Sequence, residues 1–133
     1  MKYLLDTNIC IYIIKKQHPE VITRLIKVGF TKIAISTITI AELEYGVSNS
    51  QRSFEAQTAL LEFLMPFETI DFNSNAASYY GKIRKELKDK GTPVSDMDML
   101  IASVAMANEL ILVTNNEREF KRISGLKIEN WKN

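Results

Sequence analysis

Asp6, Glu42 and Asp98 are the residues of this chain whose type and placement ask for a chemical explanation. Asp6 interrupts LLDTNICIYII, a stretch that otherwise has core character. Glu42 lies in TITIAELEYG, and Asp98 in GTPVSDMDMLIASVAMANELILVT. Each has an ordinary explanation. Asp is a good N-cap for the helix expected after Asp6, although Thr7 and Asn8 compete for that task. Thr39-x-x-Glu42 has the form of a capping box, in which the Glu reaches back to the cap's own N–H. Ser95-x-x-Asp98 has the same form, with Asp96 suited to the helix dipole. What capping leaves unexplained is the coincidence. Three carboxylates each fall at, or within a turn of, the start of a helix that follows an apolar segment. The helix after Asp98 (Met99, Leu100, Ile101, Ala102, Val104, Ala105, Met106) is almost wholly apolar. Such a helix is buried, and a carboxylate at its mouth needs a partner.

Carboxylates gathered at one place repel and raise one another's pKa unless a cation sits among them. No Lys or Arg adjoins Asp6 or Asp98 in the sequence, so a divalent metal ion is the expected cation. With one cysteine (Cys10) and one histidine (His18), a zinc cluster is not expected. Hard oxygen donors suit Mg²⁺, with Mn²⁺ as a substitute. Carboxylate-held magnesium commonly also engages phosphate oxygens, lowers the pKa of a bound water and supports in-line displacement at phosphorus. A histidine-based nucleophilic triad has little support, because nothing places His18, expected at the surface, beside a chosen serine. The five glycines are scattered, so no phosphate loop is present.

Those acids must be positioned by the elements around them. Residues 2–5 read as a short buried strand, followed by helices at 8–16 and 19–28 split near Pro19. Residues 32–36 read as a second strand, then helices at 38–47 and 54–64, the latter stopped by Pro66. A strand at 67–70 precedes a long helix capped by Asn73 or Ser74 and ended by Gly91. A helix at 96–108, a strand at 110–113, a short helix at 117–122 and an edge strand at 127–129 complete the pattern. Strand–helix alternation predicts an α/β fold with a mainly parallel sheet, within one domain spanning 1–133. Ligands of open parallel sheets bind beyond the carboxyl ends of the strands. Asp6 meets that demand, as do Thr114, Asn115 and Asn116.

The composition is that of a globular protein, 46% apolar and 25% charged. A formal charge of +1 excludes a uniformly basic nucleic-acid coat, so any RNA must be met by local patches. No apolar stretch approaches the roughly 18 residues of a membrane span. Asp6 falls where the apolar part of a leader would begin, and the lone Cys10 cannot form an internal disulfide. A cytoplasmic location is the expectation.

The chain also resembles a family. MKYLLDTNICIYIIK is similar to the opening strand and helix of PIN-domain proteins of the VapC toxin type. ISTITIAELEYG is similar to their second acidic segment, and GTPVSDMDMLIASVAMANELILVTNNEREFKRISGLKIENW to their C-terminal half. The resemblance implies a three-layer α/β/α domain that cuts RNA internally, using Mg²⁺ or Mn²⁺ held by Asp6, Glu42 and Asp98. Asp98 rather than Asp96 matches, because it immediately precedes the apolar run. Many members carry an aspartate where this chain has Asn116; Glu119 is the nearest carboxylate that would substitute. Asn8, Thr114 and Asn115 are expected to support the site. RNA contacts are expected from Arg118, Lys121 and Arg122. On the long helix Lys82, Arg84, Lys85 and Lys88 interleave with acids, and Tyr79 and Tyr80 offer stacking surfaces or half-buried packing. Trp131 is expected to pack in the core or an interface. The implied partners are a cognate antitoxin, an RNA substrate and a second copy of the chain, with DNA met only through the antitoxin and no membrane. The apolar faces near 9–28 and 54–64 are candidate surfaces. The competing expectation is a non-catalytic Mg²⁺-binding receiver or partner-binding module.

Overall fold

Alternate residues of the short strands face opposite ways, and this organises the molecule. In the computed structural model, which describes residues 1–132, β1 (Tyr3–Leu5) lies at the centre of a sheet. Leu4, Ala34 and Leu112 share one face; Tyr3, Leu5, Ile33, Ile35 and Val113 share the other. Both faces are therefore covered, as the near-continuous apolar runs of these strands require. The sheet has five strands in the order β3-β2-β1-β4-β5, formed with β2 (Ile33–Ser36), β3 (Glu68–Ile70), β4 (Ile111–Val113) and β5 (Ile128–Glu129). All four pairings are parallel, one step beyond the expected mainly parallel sheet.

Helices α1 (Thr7–Ile14), α2 (Pro19–Val28), α3 (Thr37–Ser48) and α4 (Ser53–Leu64) pack with Tyr3, Leu5 and Val113. On the opposite face lie α5 (Ser74–Lys90), α6 (Asp96–Ala107) and α7 (Glu117–Phe120). This is the three-layer α/β/α arrangement. Helix α5 begins where Asn73 accepts the Ala76 N–H at 3.0 Å and ends at Gly91, whose φ of +67° suits a residue without Cβ. One segment departs from the expected pattern: Phe30–Lys32 forms a 3-10 turn, so β2 starts after Lys32. Trp131 is buried edge-on against Tyr3, with ring centroids 5.3 Å apart.

The chain leaves β1 toward β2 on one side, while β4 lies on the other. The strand order therefore reverses at β1 and β4, the place where open α/β sheets bind ligands. Asp6 follows β1 and Thr114 follows β4. Their strand ends are stitched together by the Asp6 N–H donating to the Val113 carbonyl at 3.0 Å.

Candidate active site

Asp6 does two things at once. It is the N-cap of α1, accepting the Ile9 N–H at 2.9 Å, and it is 4% exposed. Burial raises its pKa from 3.8 to about 6, against the lowering effect of hydrogen bonds from Thr114 and Ile9. The charges of Asp98 and Glu42 raise it further. Capping thus accounts for one oxygen of Asp6 and leaves the group's burial among other acids unexplained.

Glu42 is not a capping-box residue. The N-cap of α3 is Ser36, whose hydroxyl accepts the Thr39 N–H at 3.2 Å, so the cap falls three residues before the expected Thr39. That shift moves Glu42 into the second turn, away from the first-turn N–H groups. Its carboxylate instead accepts a short hydrogen bond from the Thr7 hydroxyl of α1. Thr7 thereby joins the two acidic segments across the rim of the sheet, a contact with no local signature in the sequence.

Asp98 lies in the first turn of α6. Its backbone N–H donates to the cap residue Ser95 at 3.3 Å, so the expected capping contact exists. Its carboxyl is nevertheless pushed up, first by burial and then by Glu119 and Glu42, with a hydrogen bond from Ser95 opposing. Asp96, at the start of the same turn, is exposed.

The loop after β4 completes the rim. Thr114 is fully buried and accepts the Asn116 N–H at 2.9 Å. Asn116 donates from its amide to Glu119 at 3.3 Å, and Glu119 in turn lies within interaction distance of Asp98. Asn115 donates to the Tyr12 hydroxyl at 3.4 Å and accepts from Asn130 at 3.2 Å. Asn130 also reaches Glu117 at 3.0 Å, so β5 fastens the loop bearing Asn116. Sequence reasoning misses Tyr12, Glu117 and Asn130 as supports: β4–β5 pairing brings Asn130 to the loop and α1 brings Tyr12, so neither contact is local in sequence.

Other expected residues stand apart. Asn8 is exposed on the first turn of α1 and makes no hydrogen bond through its side chain among the described residues. Arg118 is exposed and makes no ion pair among them. Arg122 is engaged structurally, donating to the Pro93 carbonyl at 2.6 Å. His18 packs edge-on against Tyr12, half-buried rather than at the open surface. The Cys10 thiol is buried, and burial together with the Asp6 charge pushes its pKa well up, which excludes it as a nucleophile.

Could these acids hold a metal? Among the described residues no three His, Cys, Asp or Glu side chains form a ready-made cage. Yet Asp6, Glu42 and Asp98 repel one another through space, and none of the largest influences on Asp6 or Asp98 is a cation. The donors are all oxygen. This fits a magnesium-type ion, which keeps several waters and is usually held by one or two carboxylates. A zinc-type cage does not fit.

The family model described as a PIN domain matches residues 3–126. The chain belongs to the PIN-domain family. It is 47% identical to "Ribonuclease VapC2" of Rickettsia felis and 43% identical to the "tRNA(fMet)-specific endonuclease VapC" of Salmonella typhimurium, with 98% of each chain covered. Among solved structures it resembles VapBC2 from Rickettsia felis bound to a promoter DNA fragment (TM-score 0.93, 46% identity, 99% of this chain and 100% of that one). DNA-bound VapBC from Salmonella typhimurium is similar too (TM-score 0.93, 40% identity, 98% of each chain). The three-layer α/β/α architecture is that of the PIN fold.

Proposed function

We propose that this chain is a metal-dependent endoribonuclease whose Asp6, Glu42 and Asp98 hold Mg²⁺, or Mn²⁺ in its place. The observation that carries the reading is a buried carboxylate, Asp6, raised by burial and by two neighbouring acids at the strand-order reversal. Its VapC relatives are named as ribonucleases and a tRNA endonuclease.

The bound ion would supply charge neutralisation and an activated water for attack on a phosphodiester. The chain's own residues set the stage. The Asp6 carboxylate is held by the Ile9 N–H and the Thr114 hydroxyl, so one orientation is fixed before any ligand arrives. Thr7 fixes Glu42 in the same manner. Glu119, partnered by Asn116, lends the fourth acidic group that Asn116 itself lacks. Burial first, and then Glu119 and Glu42, raise the Asp98 carboxyl in the metal-free chain, and a bound cation would relieve the repulsion.

The VapBC structures are complexes of relatives with their partners. For this chain a groove of about 360 Å³, lined by Ile11, Ile14, Leu43, Val47 and Leu60 together with the charged Lys15 and Glu42, suits an antitoxin segment of apolar residues. Residues from α1 and α4 supply two of its walls, with α3 adding the third. A homodimer is part of the same reading.

The test incubates the purified chain with structured RNA and with a small phosphomonoester, with Mg²⁺ and with EDTA. Internal RNA cuts that need the metal and vanish in Asp6→Asn and Asp98→Asn, both variants remaining folded, are the expected result. Full cleavage in EDTA or in either variant overturns it.

A further inference from the structure

The five basic residues of α5 differ in what they touch, and Lys82 lies over the Tyr79 ring, 5.6 Å from its centroid. Lys85 pairs with Asp89 at 2.6 Å and Lys90 with Glu86 at 2.7 Å, each along the helix's own surface. Arg84 and Lys88 pair with no carboxylate among the described residues; Arg84 donates only to the Tyr80 hydroxyl at 3.0 Å. Spaced four apart, these two lie on one helix face. They line a cavity of about 290 Å³ whose wall includes Gly91, Thr92 and Pro93, and which no acidic side chain lines. Within that wall the Thr92 hydroxyl is buried and has no hydrogen-bond partner. A buried hydroxyl left unpaired is costly, and a ligand able to engage it removes that cost.

The helix end itself does not require these cations. The carbonyls of Leu87 and Lys88 already accept the N–H groups of Thr92 and Gly91, both at 3.1 Å. Arg84 lies more than a turn before the terminus, where the dipole's pull has faded, while Lys88 stands in the last turn and also complements it. The wall opposite is fixed as well: Arg122 holds the Pro93 carbonyl at 2.6 Å. Two cations without a carboxylate partner flank a braced opening, and an unpaired hydroxyl lies within its wall, a set of donors suited to a tetrahedral oxyanion.

Its location says which oxyanion. Met99 lines the cavity and directly follows Asp98; Val94 lines it and directly precedes the cap Ser95. The cavity and the acidic rim therefore share the first turn of α6. We propose that Arg84, Lys88 and Thr92 form a subsite for a backbone phosphate of the RNA strand, flanking the bond that is cut. This rests on the endoribonuclease reading above. It also separates Lys88 and Arg84 from Lys85, which the sequence alone does not.

The full chain is tested in EDTA, so that RNA is bound without being cut, by fluorescence anisotropy with a labelled single-stranded RNA across a salt series. Arg84→Gln with Lys88→Gln raises Kd by about tenfold or more, and the dependence of log K on log salt flattens by about 0.7 for each phosphate left unneutralised. Lys85→Gln leaves both unchanged. Thr92→Val weakens binding by about fivefold, the weight of one hydrogen bond, without lowering the urea midpoint, because the hydroxyl it removes is unpaired. With Mg²⁺, the double variant shows a raised KM and a retained kcat. Wild-type affinity and salt slope in the double variant, while the unmodified chain cuts RNA, overturn the subsite and leave the nuclease reading standing. Should the unmodified chain neither bind nor cut RNA, the nuclease reading fails, and inorganic phosphate is titrated while the Gly91 and Thr92 amide resonances are followed. Shifts that disappear in the double variant keep an oxyanion site and overturn RNA as its source; unmoved resonances overturn the site.

Discussion

A carboxylate that both starts a helix and faces two other acids ties stability to proton and cation binding. Asp6 carries a pKa of about 6 in the folded chain against 3.8 for an ordinary Asp. The folded state binds this proton more tightly than the unfolded one. Without metal, the Asp6 contribution to stability is therefore fully present below about pH 4, falls as pH rises toward 6, and stays lower above it. The span corresponds to about 3 kcal/mol. Urea titrations at pH 4, 5, 6 and 7 should show that decline in EDTA, and Asp6→Asn should reduce it to the part carried by Asp98, whose carboxyl is also raised. A flat profile in the unmodified chain counts against a buried, repelled carboxylate. The Ile9 N–H, which donates to Asp6, should report the same titration in its amide resonance. Asn116 offers the complementary change. Asn116→Asp places a further negative charge beside Glu119 and Asp98, so it should destabilise the metal-free chain by about 1 kcal/mol and lower the Mg²⁺ concentration giving half-maximal cleavage. An unaltered magnesium requirement would mean that position 116 stays clear of the ion.

The helices show where the sequence speaks plainly and where it does not. Gly91 marks the end of α5 with no rival nearby, while at its start Asn73 prevails over Ser74 by accepting the Ala76 N–H. Asp6 prevails over Thr7 and Asn8, which fall inside α1, and Ser95 is legible as a cap. The start of α3 is not, since Ser36, Thr37 and Thr39 can all cap, and only the strand register decides among them. Ser36 wins because it ends β2, while Thr37 turns aside to accept the Phe72 N–H at 3.1 Å. Thr39, by contrast, is fully buried beside Thr7. This geometry gives a matched pair of variants. Ser36→Ala and Asn73→Ala each remove one cap hydrogen bond and should each cost about 1 kcal/mol in urea unfolding. Only Ser36→Ala should also lower RNA cleavage, because α3 carries Glu42 and α5 carries none of the three acids. Equal activity in both would show that the start of α3 has no bearing on Glu42.

At the level of the whole chain, the acids identified from their types and spacing do reach one rim, and the α/β class follows from alternation alone. The supports around them stay hidden in the sequence: Thr7 meets Glu42 across 35 residues, and Asn130 meets Asn115 through strand pairing. No local pattern encodes such contacts. Among the described residues no helix is long and apolar enough to cross a membrane. Large apolar side chains instead stand exposed on α4, with Phe54 at 82% and Leu61 at 58%, on the helix whose Ala56, Ala59 and Leu60 line the proposed antitoxin groove. Because all five strands run the same way, the molecule has a working end and an idle end. The exposed Ser124–Gly125 turn lies at the idle end, ahead of β5. A short glycine–serine insertion just after Gly125, which spares the Ser124 hydroxyl that accepts from Lys90, should cost less than about 1 kcal/mol and leave RNA cutting intact. The same insertion between Thr114 and Asn116 should silence it, so the polarity of the sheet marks which loops can carry a fluorophore or a tether and which cannot be touched.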